Sequence, residues 1–270
     1  MSDSPRSVPD WVSALASKAR DVDGAPPFSD QSLVDYRMGS RELVTIDREA
    51  AALVSSTDAE FVVSPDARGR GLGARLLETL LAGGAGLFWA HGDAPAARAL
   101  AASHGLKPVR ELLHLVGEVS IRPSGYSTTG LADRFVVGRD EDEWVALNAK
   151  TFAYHPEQGS VTKADLEQLE GEAWFSADNF LVLRRDGRMI GYCWLKVEGG
   201  RGEFYVVGVS PDHHGEHLGS LLFDAGLARL AELGIHDAHL YVDGDNEPAL
   251  RLYRSRGFTQ DSIDIQYAVD

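Results

Sequence analysis

The sequence predicts a mixed α/β protein made of two tandem copies of one fold, each a mixed central sheet flanked by helices. Three observations carry this. First, the chain repeats itself: Val62-Val-Ser-Pro-Asp66 returns as Gly208-Val-Ser-Pro-Asp212, an offset of 146, which also carries Gly73-Ala-Arg-Leu-Leu77 onto Gly219-Ser-Leu-Leu-Phe223. Ser103-His-Gly-Leu106 returns as Ser255-Arg-Gly-Phe258 at an offset of 152, so a short insertion separates the two anchors. Second, apolar residues switch between alternating and helical spacing along the chain. Third, Arg122-Pro-Ser-Gly-Tyr-Ser-Thr-Thr-Gly130 is dense in turn residues and marks a boundary, giving expected domains over 1–125 and 131–270.

The elements are clearest in the second half. Apolar residues at helical spacing predict amphipathic helices over 144–154 and 163–172. Strands over 179–184 and 189–197 follow, joined by an Asp-Gly turn. Glu203-Phe-Tyr-Val-Val-Gly-Val209 is rich in β-branched residues and reads as a buried strand. A helix over 220–232, a strand over 239–242, a helix over 247–256 and a closing strand over 263–269 complete the order, so helices cross over a central sheet.

Composition bounds the function. Hydrophobic residues make up 44% and charged residues 25%, and the longest apolar stretch, over 80–90, is too short and too broken by glycine to span a membrane. The opening Met-Ser-Asp-Ser-Pro-Arg has no apolar region of a secretory signal, so a cytoplasmic location and no membrane partner are expected. A formal net charge of −15 repels polyphosphate backbones, which argues against nucleic acid. A phosphate ligand must therefore be held by local backbone geometry. The one cysteine, Cys193, excludes an internal disulfide and lies in the apolar run Gly191-Tyr-Cys-Trp-Leu-Lys-Val197, where it reads as a small core hydrophobe. His213, His214 and His217 suggest a metal, but no acidic or cysteine partner has recognisable spacing, and no metal is expected. A monomer is the expected state.

Arg68-Gly-Arg-Gly-Leu-Gly73 lies between a strand ending near Val63 and a helix beginning near Ala74. A glycine turn feeding a helix N-terminus lets unpaired N–H groups face an anion, although a helix entered through a flexible turn has the same look. Together with its Val-Ser-Pro-Asp lead-in, the segment resembles the coenzyme A pyrophosphate motif of the GNAT acetyltransferases. The resemblance implies that acetyl-CoA is bound in the first half by Phe61, Val62, Val63, Gly69, Arg70, Gly71, Leu72, Gly73 and Ala74. In the second half it implies Val207, Gly208 and Val209, then His214, Gly215, Glu216, His217, Leu218, Gly219 and Ser220. There His214 replaces the family's Arg or Gln, and His217 replaces its first glycine.

Asp245-Asn-Glu-Pro-Ala-Leu-Arg-Leu-Tyr-Arg-Ser-Arg-Gly-Phe258 resembles a second signature of the same family. It implies cofactor contacts at Asn246, Glu247, Pro248, Ala249, Leu250 and Arg251, and a general acid at Tyr253. Read from the residues alone, Asn246 is also a good helix cap and Tyr253 a good core-edge aromatic. Acyl transfer to an amine needs a base, oxyanion donors and an acid for the thiolate. Glu203, at the head of its strand, is the candidate base; a solvated charge after Gly199-Gly-Arg-Gly202 is the plain alternative. The offsets place Thr57, Ala94 and Ala101 where the second half has Glu203, Asn246 and Tyr253, so the first half is expected to bind without catalysing.

The tandem arrangement with Ala153-Tyr-His-Pro-Glu-Gln-Gly159 and Tyr205-Val-Val-Gly-Val209 resembles, more narrowly, the mycothiol synthases of actinobacteria. That resemblance implies acetylation of the cysteinyl amine of cysteinyl-glucosaminyl-inositol in the second half. It also implies acceptor contacts at Asp30, Glu157, Lys196, Glu203 and Tyr241. Two other functions share the residue-level evidence: a tandem acetyltransferase for another amine, and a non-enzymatic acyl-CoA-binding module.

Overall fold

A computed structural model describes residues 6–120, 133–155 and 158–269. They fall into two compact units: one runs to Leu113 and takes in Asp243–Asp245 and the chain from Ser262, and the other holds His114–Val242 and Asn246–Asp261. Both are mixed α/β, as the sequence predicts, and among the described residues no helix is long and apolar enough to cross a membrane.

In the first unit, α1 (Asp10–Asp23) and α2 (Asp30–Met38) precede the antiparallel meander β1 (Glu42–Ile46), β2 (Ala50–Val54) and β3 (Asp58–Val63). Then come α3 (Leu72–Ala82), β4 (Leu87–His91) parallel to β3, α4 (Pro95–Ser103) and the start of β5 (Lys107–Glu118), whose residues from His114 on group with the second unit. Strand β2 is buried on both faces, which its Ala-Ala-Ala-Leu sequence allows. Ala51 and Leu53 pack under α1 and α2 with Val12, Leu15 and Tyr36, whereas Ala50 and Ala52 pack with Leu76, Leu77 and Leu80 of α3. Val12, Leu15 and Ala19 bury one face of α1 at helical spacing, and Ser29 caps α2 by accepting from the Ser32 N–H.

The second unit begins with β6 (Asp133–Arg134), α5 (Glu141–Thr151) and α6 (Lys163–Glu170), the last opened by a Thr162/Asp165 capping box. The strands β7 (Phe180–Arg185), β8 (Arg188–Glu198) and β9 (Arg201–Val209) form an antiparallel meander joined by tight turns. Both turns place two residues at positive φ, Asp186-Gly187 and Gly199-Gly200, the geometry that matches strand twist in a hairpin. Next come α7 (Leu218–Glu232), β10 (Asp237–Asp243) parallel to β9, α8 (Glu247–Ser255) and β11 (Thr259–Ala268). The first expected helix starts three residues early and stops at Thr151 rather than 154, and β11 starts at Thr259 rather than 263. The end of β11, which groups with the first unit, pairs antiparallel with β4 through Ile265↔Ala90.

The second unit's core is aromatic. Trp144, Phe180, Tyr192 and Trp194 are each fully buried, with Phe180 and Trp194 stacked at 4.5 Å and Trp144 edge-on to both. Cys193 is buried and burial pushes its thiol far up, as a core hydrophobe requires. Buried Asn148 on α5 ties this core to the following loop. Its Oδ1 accepts from the Tyr192 hydroxyl at 2.8 Å and from Gln158 Nε2 at 3.0 Å, and its Nδ2 donates to the Gln158 carbonyl at 2.6 Å. Asn148→Ala removes the partner of a buried hydroxyl, so it is expected to cost about 1–3 kcal/mol, read as a lower urea midpoint. An unshifted midpoint would show that the network carries no stability.

Candidate functional site

Alternation along β9 builds the site. Gly202 and Phe204 are buried beneath α7: Phe204 stacks on Phe223 at 4.1 Å, and a Cβ at Gly202 would lie 2.6 Å from Leu230, whereas Val206 packs in the aromatic core with Trp144 and Trp194. Gly208 is equally constrained, since its Cβ would meet the Tyr192 ring at 2.5 Å. Glu203 therefore takes the face opposite Gly202 and Phe204. A bulge lies across Tyr205, because Trp194 pairs with Val206 and Leu195 with Phe204. Past it, Lys196 of β8 pairs with Glu203, and Glu203 pairs with His239 of β10. The parallel ladder takes in Ala238↔Gly202 and His239↔Glu203, and both strands run on beyond it.

Around this row, Lys196 Nζ sits 5.3 Å over the Trp174 ring and 3.4 Å from Glu198. Tyr205 packs against Trp174 and Trp194; burial raises its hydroxyl to about 12, with the charges of Glu203 and Glu172 adding. Tyr241, half exposed, stacks on His114 at 4.8 Å. Of the other residues expected at the acceptor, Asp30 is exposed at the start of α2 in the first unit and Glu157 lies outside the described residues.

At the end of β9 a 3₁₀ turn, Pro211–His213, leads into Gly215 at φ +86 and His217 at φ +60, ψ +19, directly before α7. In the first unit Gly71 holds the same place before α3 at φ +79, ψ +3. His217 thus keeps the backbone path of the glycine it replaces, in a left-handed conformation that costs a residue with a Cβ about 1–2 kcal/mol. The first N–H groups of α7, from Leu218, Gly219 and Ser220, point out of the helix end without intrahelical acceptors. Near them Glu216 is clamped by Arg185 at 2.7 Å and His213 at 2.9 Å, which holds its carboxyl down at about 2, while His214 is exposed. No group of three or more His, Cys, Asp or Glu side chains among the described residues is arranged to hold a metal.

On α8, Asn246 is the N-cap: its Oδ1 accepts from the Ala249 N–H at 3.2 Å, and Pro248 sits in the first turn. Glu247 and Arg251 form an exposed pair at 3.4 Å, and Leu250 is buried. Tyr253 packs at 5.0 Å from the Phe223 ring; burial, with Cys193 beside it, pushes its hydroxyl far above the ordinary tyrosine range. At neutral pH it is a proton donor.

The first unit has a groove of its own. About 370 Å³ in volume, it is lined by Phe61, Val62 and Val63 of β3, by Gly69, Gly71, Leu72, Gly73 and Ala74 of the turn and α3, and by Trp89 and His91 of β4. Both arginines of the turn are engaged: Arg68 holds Asp23 with two bonds of 2.7 Å, and Arg70 holds Glu49 at 2.7 Å. A cluster that the sequence reading did not find lies here. His91 Nδ1 is 2.9 Å from Asp264, and its Nε2 is 3.6 Å from Glu60, an ion-pair rather than a hydrogen-bond distance. Glu60 also accepts from the Ser29 N–H at 2.7 Å and the Ser29 hydroxyl at 2.8 Å. Burial alone would discharge His91, but Asp264 and Glu60 outweigh it and raise the imidazole to about 9.

Two parallel strands continuing past a short ladder, with a left-handed turn into a helix beside them, define the GNAT class of acetyltransferases. The family model described as "Acetyltransferase (GNAT) family" matches residues 144–258. A GCN5-related N-acetyltransferase from Sphaerobacter thermophilus superposes with a TM-score of 0.75 at 20% identity, covering 95% of this chain and 90% of that one. A tandem GNAT protein from the clavulanic acid biosynthesis pathway does so with 0.64 at 16%, covering 96% and 94%, so the fold is shared. The mycothiol acetyltransferase of Clavibacter sepedonicus is 44% identical over 95% of this chain and 90% of its own, and that of Thermobispora bispora 42% identical over 95% and 94%. The chain belongs to the mycothiol acetyltransferase family.

The His91 cluster makes the first unit's stability pH-dependent. Its folded pKa of about 9 lies above the ordinary 6.5, so the stabilisation is fully present below about 6.5 and lost as pH rises through about 9. His91→Gln is expected to remove that alkaline decline, so urea midpoints of wild type and variant should converge between pH 6 and 9.5. A constant difference across that range would contradict the assignment.

Proposed function

We propose that the second unit transfers the acetyl group of acetyl-CoA to the cysteinyl amine of cysteinyl-glucosaminyl-inositol, the closing acylation of mycothiol biosynthesis. The observation that carries the reading is the position of Glu203. It stands on β9 opposite the face packed beneath α7, between Lys196 and His239 in register and two residues before the Tyr205 bulge. A carboxylate there takes the proton of an ammonium whose ordinary pKa is about 7.7–8.0, directly or through a water. Lys196 and the exposed Tyr241 ring supply polar and stacking contacts to a hydroxyl-rich acceptor. The start of α7 faces the pyrophosphate, with Gly215 and His217 shaping the turn. Tyr253, kept protonated by burial, donates to the departing thiolate.

We infer further that the first unit binds a coenzyme A ligand in its groove without turning it over. His91, pinned as an imidazolium by Glu60 and Asp264, has no lone pair to offer as a base at neutral pH. Its counterpart residues Thr57, Ala94 and Ala101 carry neither acid nor base. A ligand held only by the folded unit stabilises it by mass action.

Glu203→Gln is expected to lower kcat/KM by roughly 10² or more, the lower range of general-base effects. Unchanged kinetics across pH would remove the assignment, and mass spectrometry of products from a panel of amines separates this acceptor from others and from a binding module that acetylates none. Gly219→Trp is expected to abolish turnover while one equivalent of acetyl-CoA still binds. Gly73→Trp should leave kcat within a few-fold and remove one equivalent of bound cofactor. Loss of activity in folded Gly73→Trp would put catalysis in the first unit or in both.

A further inference from the structure

Glu203 does not stand alone on its face. Parallel strands point paired residues the same way, about 4.8 Å apart, so His239 lies beside Glu203 as Lys196 does on the other side. Beyond His239 the row continues by side-chain contact: His239 Nδ1 is 3.2 Å from His114 Nε2, and His114 Nδ1 is 3.1 Å from an Asp261 carboxylate oxygen. His114 is 13% exposed and Asp261 57%, so the series leads from the covered strand face to water.

Donor and acceptor roles follow in order. Asp261, a carboxylate, accepts only, so His114 carries its proton on Nδ1 and presents the Nε2 lone pair. His239 must then donate from Nδ1, which leaves its Nε2 as an acceptor. The groups facing His239 keep it uncharged: burial first, then His114, Arg201 of β9 and Lys196 of β8, lower it to about 4, with Tyr241 beside it on β10. Neither histidine figures among the residues that the sequence motifs single out.

Building on the reading of Glu203 as base, we propose that His239, His114 and Asp261 form a proton relay that drains Glu203 during acetyl transfer. The ammonium N–H bond breaks and its proton passes to the Glu203 carboxylate. The Glu203 O–H proton passes to His239 Nε2, directly or across one water. His239 releases its Nδ1 proton to His114 Nε2, and His114 releases its own Nδ1 proton to Asp261, which exchanges with solvent. Only protons move, and each nitrogen returns to its starting state by ring reorientation or by proton return from water. His239 and His114 are positioning residues, acting through Glu203.

The test is steady-state kinetics of the full chain with acetyl-CoA and the cysteinyl amine. His239→Ala and His239→Gln are expected to lower kcat about tenfold or more, leave the acetyl-CoA KM within twofold, and flatten the pH dependence of kcat. Imidazole added to the His239→Ala assay should restore part of the rate in proportion to its concentration, which a packing defect would not permit. Asp261→Asn, which cannot take the proton, should show an intermediate loss. Wild-type kcat in both His239 variants, a loss confined to acceptor KM, or a slow His239→Ala that imidazole fails to restore would overturn the relay. If Glu203→Gln is slow while the His239 variants run at full rate, the relay alone fails. If Glu203→Gln runs at full rate while His239→Ala is slow and rescued, the base assignment itself fails and takes a relay rooted at Glu203 with it.

Discussion

Side-chain alternation along β9 is the constraint on which the site depends. Gly202 and Phe204 are committed to the packing beneath α7, where Gly202 has no room for a methyl group and Phe204 fills the space against Phe223; past the bulge at Tyr205, Val206 and Gly208 are committed to the aromatic core, where Gly208 has no room for one beside Tyr192. A shift of one residue would bury Glu203 and expose Phe204, so the strand has one acceptable register. That register brings Lys196, Glu203 and His239 into one row on three strands. The same packing delivers the chain, through Ser210 and a 3₁₀ turn, to the left-handed residue that opens α7. The Glu203 row and the turn into α7 are thus both fixed by the packing of one strand, on either side of its bulge.

The left-handed entry explains how His217 is accommodated. What the turn demands is a φ near +60 to +80°, and glycine is the cheapest way to meet it rather than the only one. The first unit meets it with Gly71 and the second with His217, and the backbone paths agree within about 20° in each angle. The imidazole is exposed.

Much of this was legible in the sequence. Glycine pairs, β-branched runs and the 146-residue offset gave the strands, the turns and the start of each helix after the motif. Lys196 and Glu203, both expected at the acceptor, lie side by side in register. Two things escaped. Helices α1 and α2 lie ahead of the first repeated motif, although Val12, Leu15 and Ala19 of α1 do stand at helical spacing over Ala51, Leu53 and Val62. The histidine clusters escaped because their partners are far apart in the chain: His91 meets Asp264, and His114 meets both His239 and Asp261. The alternation in His239-Leu-Tyr-Val242 did signal that His239 shares a face with Tyr241, but nothing local names the imidazole's partner.

The two buried histidine sites show how surroundings decide function. His91 is flanked by two carboxylates, and their attraction exceeds the cost of burying charge, so the ring is a cation up to about pH 9. His239 is buried to a lesser degree but faces another imidazole, a lysine and an arginine, and it stays neutral down to about pH 4. A cation locked between carboxylates can donate hydrogen bonds and hold strands together, yet it cannot take a proton. A neutral ring with one nitrogen tied to a histidine and the other free to accept can pass a proton along. The unit that retains the glycine-rich turn therefore carries the histidine that cannot act as a base, and the unit with the altered turn carries the one that can.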